Sequence, residues 1–181
     1  VLYRAHGITR NPAFMKRESE GPWYYEQVDL GMNYRMTDIQ AALIISQLDK
    51  LSLFQKRRKE IVEKYNEAFS KIPEITVQEE IPESDTTRHL YILRIKPEML
   101  TIDRKQFFAA MAAENICCNV HYIPVYRHPY YEELGYEKGL CPKAEKLYEE
   151  IMSLPLYYSL TDEDVDDVIH AVTKIVENYR K

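Results

Sequence analysis

The residues best suited to chemistry lie in one stretch, residues 31–42, which reads Gly-Met-Asn-Tyr-Arg-Met-Thr-Asp-Ile-Gln-Ala-Ala. Thr37 followed three residues later by Gln40 is a capping-box pattern, which predicts a helix that begins at about Thr37. Free backbone N–H groups and the positive end of the helix dipole favour an anion such as phosphate at that end. Asn33 would add an amide and Arg35 a fixed positive charge just before the helix. In the alternative interpretation, Arg35 pairs with a surface carboxylate and Asn33 shapes a turn.

A second candidate is the segment His121-Tyr122-Ile123-Pro124, at the end of a strand that we predict over residues 116–122. Strand ends project side chains into clefts, and histidine and tyrosine both transfer protons and bind polar ligands. The alternative is a structural strand end in which both rings are partly buried. His121 and Tyr122 are therefore candidate ligand-binding residues.

Other catalytic patterns are absent from the sequence. No Gly-x-Gly-x-x-Gly or Walker loop, no Gly-x-Ser-x-Gly elbow and no His-Glu-x-x-His occurs. The three cysteines, Cys117, Cys118 and Cys141, are odd in number and lack a C-x-x-C spacing, which argues against a disulfide framework and favours the reducing cytoplasm. A zinc site that combines them with His121 has little support, and we predict no metal site.

Composition narrows the class of protein. The chain has 181 residues and a formal net charge of −5, so a general nucleic-acid role is not expected. The basic run at residues 56–59 is typical of a solvated helix face. No apolar run is long enough to cross a bilayer and no signal-peptide pattern opens the sequence, so we expect no membrane partner and a cytoplasmic location.

The helix predicted over residues 37–51 is apolar nearly all round in its first half. Such a helix is buried on more than one side, which one small domain cannot easily arrange. The pattern therefore predicts a partner domain or subunit against this helix. A longer amphipathic helix follows and ends before Pro73.

The rest of the chain alternates strands and helices. We predict a strand at 89–95, a helix capped by Asp103 and Gln106, the strand at 116–122, a helix at 142–152 and a last helix capped by Thr161 and Asp164. This order predicts an α+β fold, a small sheet with helices on one face. The opening helices are interpreted as a separate arm over residues 36–72, preceded by a segment at 1–35 and followed by the α+β domain at 73–181.

Several short motifs follow one another along the whole chain: Arg4-Ala5-His6-Gly7, residues 31–42, Ser46-Gln47-Leu48, Arg57-Arg58, Asn119-Val120-His121-Tyr122-Ile123-Pro124, His128-Pro129-Tyr130-Tyr131 and Ser153-Leu154-Pro155-Leu156. Together they resemble the nucleotide-sugar aminotransferases of the DegT/DnrJ type. Within that family they are most similar to the transaminases of UDP-4-keto-6-deoxy-N-acetylhexosamines (altrosamine transaminases), in pseudaminic-acid or spore-coat polysaccharide synthesis.

The resemblance implies the C-terminal small domain of the type I aminotransferase fold, with a mostly antiparallel sheet, and pyridoxal phosphate as the cofactor. It implies that the complete protein is a homodimer that moves an amino group from glutamate to the keto group of a nucleotide sugar. On the family pattern, Asn33 would hydrogen-bond the cofactor phosphate of the other subunit, and Arg35 would help hold phosphate or substrate. His121 and Tyr122 would line the sugar-nucleotide cleft. Tyr126 departs from the histidine that many relatives carry.

The family's Schiff-base lysine lies upstream of the Arg-x-His-Gly segment, and no lysine here sits in the matching motif. We therefore assign no catalytic residue and expect this chain, which resembles a C-terminal half that begins in mid-element, to be inactive alone. Two alternatives stay open. One is a standalone carbohydrate- or protein-binding module whose tyrosine and tryptophan loops form the binding surface. The other is a degenerate relative kept for structure or regulation.

Overall fold

The computed structural model describes residues 2–181 of the chain. Two compact units are formed, one that ends at Leu51 and one over Ser52–Lys181. The three-part division at residues 35 and 72 stays a prediction.

The first unit joins two of the sequence motifs. Its short strands, β1 (Ile8–Thr9) and β2 (Glu26–Gln27), pair antiparallel, and a 3₁₀ turn at Pro12–Phe14 lies between them. Beside this ribbon, the Arg4-Ala5-His6-Gly7 segment runs along residues 31–34, with an isolated antiparallel bridge between Ala5 and Asn33.

The helix that follows is α1 (Asp38–Leu48), and its start is the predicted one. The Thr37 hydroxyl accepts a hydrogen bond from the backbone N–H of Gln40, and the Gln40 side chain accepts one from the backbone N–H of Thr37. The capping box fixes the start from local sequence alone.

The second unit contains three strands and five α-helices. These are α2 (Leu51–Phe69), β3 (Ile75–Thr76), β4 (Tyr91–Ile95), α3 (Arg104–Ala113), α4 (Pro129–Glu133), α5 (Pro142–Glu150), β5 (Ile151–Leu154) and α6 (Asp162–Tyr179). The strands form one antiparallel sheet in the order β3-β4-β5, with β4 central. The predicted α+β class with a small antiparallel sheet is confirmed.

The core lies on the face of the sheet that carries alternate residues of β4. Tyr91, Leu93 and Ile95 are buried there, as the period-two pattern requires. They pack with the apolar stripes of three helices: Ile61, Val62, Tyr65 and Phe69 of α2; Phe107 and Met111 of α3; and Val165, Val168, Val172, Ile175 and Val176 of α6. The buried phenol of Tyr65 donates to the carbonyl of Pro155 at 3.0 Å, so its polar tip is satisfied.

Two sequence predictions were wrong in detail. Residues 116–122 do not form a full strand, because only Asn119 pairs, in an isolated bridge with Ser153 of β5. The helix that starts at Pro142 ends at Glu150 rather than near 152, because the following residues pair with β4. Tertiary pairing overrides the helical pattern there.

The prediction that the basic run at residues 56–59 forms a solvated helix face is correct for only two of its four residues. The guanidinium of Arg57 donates to the carbonyl of Leu160 at 2.6 Å and binds Asp162 at 2.9 Å, while Arg58 donates to three backbone carbonyls. Lys56 and Lys59 are exposed. The two arginines therefore tie α2 to loops of its own unit.

No helix within residues 2–181 combines the length and the apolar character that crossing a lipid bilayer demands.

Candidate functional site

The first predicted site residue, Asn33, is held by its backbone and leaves its side chain free. The backbone N–H of His6 donates to the carbonyl of Met32 at 3.0 Å, and that of Tyr34 donates to the carbonyl of Arg4 at 3.0 Å. These two bonds flank the Ala5–Asn33 bridge on both sides. The Asn33 side chain is exposed and has no hydrogen-bond partner among the described residues, so its amide is available to a ligand.

Two glycines make this close pairing possible. A Cβ on Gly31 would lie 2.2 Å from the backbone nitrogen of Gly7, and a Cβ on Gly7 would lie 1.7 Å from the carbonyl oxygen of Asp29. Gly7 also has a φ of +71°, which side-chain-bearing residues rarely adopt. The two motifs thus belong to one structural unit, which fixes the backbone that carries Asn33.

The N-terminus of α1 is a weaker anion site than the sequence suggested. The capping box occupies the backbone N–H groups of Thr37 and Gln40, and Asp38 places a carboxylate in the first turn. The donors left for a phosphate are the Asn33 amide, the Arg35 guanidinium and the first-turn N–H groups that α-helices leave unbonded. This donor set still fits a phosphate group, because it includes one permanent positive charge and a two-donor amide.

Arg35 lies between two cavities of the first unit. One of about 460 Å³ is mostly apolar and is bounded by Tyr34, Met36, Gln40, Leu43 and Ile44 of the helix start. The other, of about 500 Å³, is bounded by Ile8, Arg10, Tyr25 and Arg35. Asn33 lines neither cavity.

His121 and Tyr122 lie in the second unit, in the segment that approaches β5. The imidazole Nδ1 of His121 is 2.8 Å from the hydroxyl oxygen of Ser153, which is buried in β5. Backbone bonds between Asn119 and Ser153 hold the two segments together. His121 is half-buried, whereas Tyr122 is 72% exposed and meets the imidazole edge-to-face at 4.7 Å.

His121 lines a cavity of about 570 Å³ on the face of the sheet opposite the core. Arg94 and Ile92 of β4 and Leu147 of α5 share it, together with residues 76–79. The Arg94 guanidinium binds the buried carboxylate of Glu150 at 2.5 Å. Tyr122 is not among the lining residues, so the structure brings only His121 into this cavity.

Sequence reasoning missed a pair that anchors the segment after His121. The buried carboxylate of Glu145 accepts hydrogen bonds from the Tyr126 hydroxyl at 2.7 Å and the Gly139 backbone N–H at 2.6 Å. These bonds lower the pKa of Glu145, and burial with the adjacent carboxylate raises the pKa of Tyr126. The only sequence signal was Tyr126 itself, which the sequence analysis noted as a departure from the pattern that the resemblance implies.

The cysteines do not form a metal centre in the described part of the chain. Cys117, Cys118 and Cys141 are free thiols, and burial raises the pKa of Cys118 to about 12. A thiol with that pKa stays protonated and is a poor metal ligand. Over residues 2–181, no three His, Cys, Asp or Glu side chains come together as a potential metal site.

Comparison with known proteins gives a consistent result over nearly the whole chain. The model of the DegT/DnrJ/EryC1/StrS aminotransferase family matches residues 1–173. The spore coat polysaccharide biosynthesis protein SpsC of Bacillus subtilis is 40% identical over 174 residues, which are 95% of this chain and 44% of SpsC. The chain spans less than half the length of the curated relatives it matches.

Solved structures agree with the sequence comparison. Helicobacter pylori PseC, an aminotransferase involved in the biosynthesis of pseudoaminic acid, superposes with a TM-score of 0.83 and 27% identity over 98% of this chain and 45% of PseC. Spr1654, a proposed sugar aminotransferase of Streptococcus pneumoniae, superposes in its PLP-form with a TM-score of 0.81 and 30% identity over 98% of this chain and 42% of Spr1654. The predicted resemblance and pyridoxal phosphate as the family's cofactor are confirmed.

Proposed function

Because the chain belongs to the DegT/DnrJ/EryC1/StrS aminotransferase family, we propose that the complete protein transfers an amino group from glutamate to a 4-keto-6-deoxy nucleotide sugar. When bound, pyridoxal phosphate supplies the electron sink that this transfer needs. The observation that supports this proposal most directly is the pairing of the Arg4-Ala5-His6-Gly7 segment with residues 31–34 in the first unit. This pairing presents the unpartnered Asn33 amide just before a capped helix.

In this proposal, Asn33 donates a hydrogen bond to the cofactor phosphate of the neighbouring subunit. The backbone at Asn33, held by hydrogen bonds on both sides, loses little conformational freedom when the amide binds, so only the side-chain torsions remain to be fixed. Arg35 supplies the positive charge that a phosphate group requires, as a guanidinium that remains protonated at any working pH.

His121 and Tyr122 line the nucleotide-sugar cleft in this proposal. The Ser153 hydroxyl holds one imidazole nitrogen of His121, which leaves the other nitrogen for a polar group of the substrate. The exposed Tyr122 ring offers an apolar face and a hydroxyl, a combination suited to a sugar.

We further propose a homodimer in which α1 packs against the partner subunit, in the cytoplasm and with no nucleic acid as partner. The lysine that carries the cofactor lies outside residues 1–181 in this proposal, so these residues alone do not catalyse transfer. Reduction of the complete protein with borohydride and peptide mass spectrometry would locate that lysine.

The direct test is isotope transfer by the complete protein. The protein is incubated with pyridoxal phosphate, ¹⁵N-labelled glutamate and a UDP-4-keto-6-deoxy-N-acetylhexosamine, and the sugar is analysed by mass spectrometry. We expect the label in an amino sugar and 2-oxoglutarate as the co-product. A protein that binds a glycan but neither binds the cofactor nor transfers the label would instead be a carbohydrate-binding module.

A further inference from the structure

The face of the sheet opposite the core carries a guanidinium whose donors are only partly used. Arg94 lies between the buried residues Leu93 and Ile95 of β4, so its side chain leaves the other face of the sheet. Its Nε donates to the carboxylate of Glu150 at 2.5 Å, and the side chains of Arg94 and Glu150 are 41% and 8% exposed. Within residues 2–181, the two terminal nitrogens of Arg94 have no hydrogen-bond acceptor. Their N–H groups are therefore available to a ligand.

Arg94 lines the same cavity of about 570 Å³ as His121. The register of β4 and β5 places Arg94 opposite Ile151, and Ile92 opposite Ser153. The imidazole of His121 contacts the Ser153 hydroxyl, so the two polar groups belong to neighbouring rows of one sheet face, roughly 7 Å apart along the strands. One ligand can therefore reach both of them.

The remaining side chains of this cavity are aliphatic or polar, and one of them is acidic. They are Thr76, Val77, Gln78, Glu79, Ile92, Leu147 and Ile151. Glu150 offsets the positive charge of Arg94, and Glu79 adds a negative charge, so the cavity has no surplus positive charge to attract a phosphate or a carboxylate. It fits an uncharged group that combines apolar surface with a polar edge.

We propose that this cavity binds the uracil base of the nucleotide-sugar substrate, and that Arg94 donates to the base carbonyl at position 4. The proposal rests on the function proposed above and deepens it, because it names the part of the substrate that the second unit recognises. The ribose leaves the cavity towards His121, so the carbonyl at position 4, on the far side of the ring, faces Arg94. The side-chain oxygens of Thr76 and Gln78 can accept from the neighbouring ring N–H.

The sugar ring of the substrate is also uncharged, but the lining favours the base. Val77, Ile92, Leu147 and Ile151 offer only apolar side-chain atoms, which suit the two faces of a planar base. A hexose carries hydroxyl groups around its ring, and each hydroxyl that is buried without a partner costs free energy. Tyr122, which does not line the cavity, remains available to the sugar.

The first test measures base selectivity of the complete protein by calorimetry with UDP and CDP. Cytosine has an amino group where uracil has the carbonyl at position 4, so it cannot accept from Arg94 there. We expect the unmodified protein to bind UDP at least about tenfold more tightly than CDP, since a site built to hydrogen-bond a group rejects an analogue that lacks it.

Arg94→Lys is the variant for this test, because lysine can still pair with Glu150 but loses the free terminal N–H groups. It should reduce the preference for UDP over CDP to below about threefold. Arg104→Lys, on α3 and outside the cavity, is the matched control and should keep the preference.

The second test fills the cavity from a helix position that is 45% exposed, with Leu147→Trp. Glu149→Trp, at an exposed position of the same helix outside the cavity, is the control. We expect Leu147→Trp to raise the dissociation constant of UDP at least about tenfold, because the base can no longer enter. The affinity for pyridoxal phosphate, measured by absorbance titration, should not change.

Equal affinities of the unmodified protein for UDP and CDP would overturn the inference, as would a full preference for UDP in Arg94→Lys. Unchanged UDP binding in Leu147→Trp would also overturn it, and a raised KM for the nucleotide sugar would then assign the cavity to the sugar. Failure of the proposed function would look different, since the unmodified protein would then transfer no ¹⁵N label.

Discussion

At the scale of single residues, the sequence identified groups that were suited to a ligand but not the groups that hold them. Asn33 and Arg35 stood out because an amide and a guanidinium precede a capping box. Ser153 was noted only as part of a short motif and no role was predicted for it, since a lone serine in a strand has no functional pattern of its own. Its role became visible only when the structure placed its buried hydroxyl 2.8 Å from His121. Arg94 was missed for the same reason, because pairing of β4 with β5 brings it to the cavity that His121 lines.

The Ser153–His121 contact leads to a prediction about substrate binding. Replacing Ser153 with alanine in the complete protein removes the hydrogen bond that orients the imidazole, a contact worth about 0.5–1.5 kcal/mol. We expect KM for the nucleotide sugar to rise about three- to tenfold while kcat with saturating substrate changes by less than about twofold. Ser153→Thr, which keeps a hydroxyl, should recover most of the affinity.

KM and kcat are measured by steady-state kinetics for the unmodified protein, Ser153→Ala and Ser153→Thr. Ser159→Ala, in an exposed loop, is the control. Equal losses in Ser153→Ala and Ser153→Thr would show that the effect comes from packing in β5 and would contradict a positioning role for the hydroxyl.

At the scale of elements, the predictions that rest on neighbouring residues were confirmed, and those that depend on partners far away in the sequence were wrong. All three predicted capping boxes are present, at Thr37, Asp103 and Thr161, because each needs only four consecutive residues. The strand predicted at residues 116–122 does not form, because a strand needs a pairing partner and β5 pairs with only one residue of this segment, Asn119. The prediction that Arg57 and Arg58 lie on a solvated helix face was wrong, because the backbone carbonyls that they bind lie far away in the sequence.

The end of α6 is tied to the start of β3 by an ion pair that predicts pH-dependent stability. The buried carboxylate of Glu74 accepts from the Arg180 guanidinium at 2.5 and 3.0 Å. This contact lowers the pKa of Glu74 from its usual value of 4.5. A carboxyl whose folded pKa is depressed stabilises the fold above its unfolded pKa, and that contribution is lost as the pH falls through the folded pKa.

We therefore expect the urea midpoint to fall as the pH is lowered from about 5 to 3, and to fall less steeply in Glu74→Gln. Circular dichroism at each pH measures the midpoint in the complete protein. Glu63→Gln, an exposed position on α2, should keep the slope of the unmodified protein. An identical pH slope in Glu74→Gln would mean that the Glu74–Arg180 pair does not contribute to stability.

At the scale of the whole molecule, the sequence predicted that α1 needs a partner. Within the described residues the helix buries none of its side chains, and Ile39, Leu43, Ile44, Ile45 and Leu48 remain between 44% and 76% exposed. A contiguous apolar surface of this kind is typical of an interface. It supports the proposal of a dimer through α1, in which Asn33, a few residues before the helix, reaches the cofactor of the other subunit.

The proposed reach of Asn33 across the dimer can be tested by mixing two inactive variants of the complete protein. One lacks the lysine that carries the cofactor and keeps Asn33, and the other is Asn33→Ala with the lysine intact. If Asn33 serves the neighbouring subunit, each mixed dimer contains one site with both groups. Random reassortment of equal amounts should then restore about a quarter of the unmodified activity, since half of the dimers are mixed and one of their two sites is intact. Activity that stays at the level of the separate variants after verified subunit exchange would contradict the proposal.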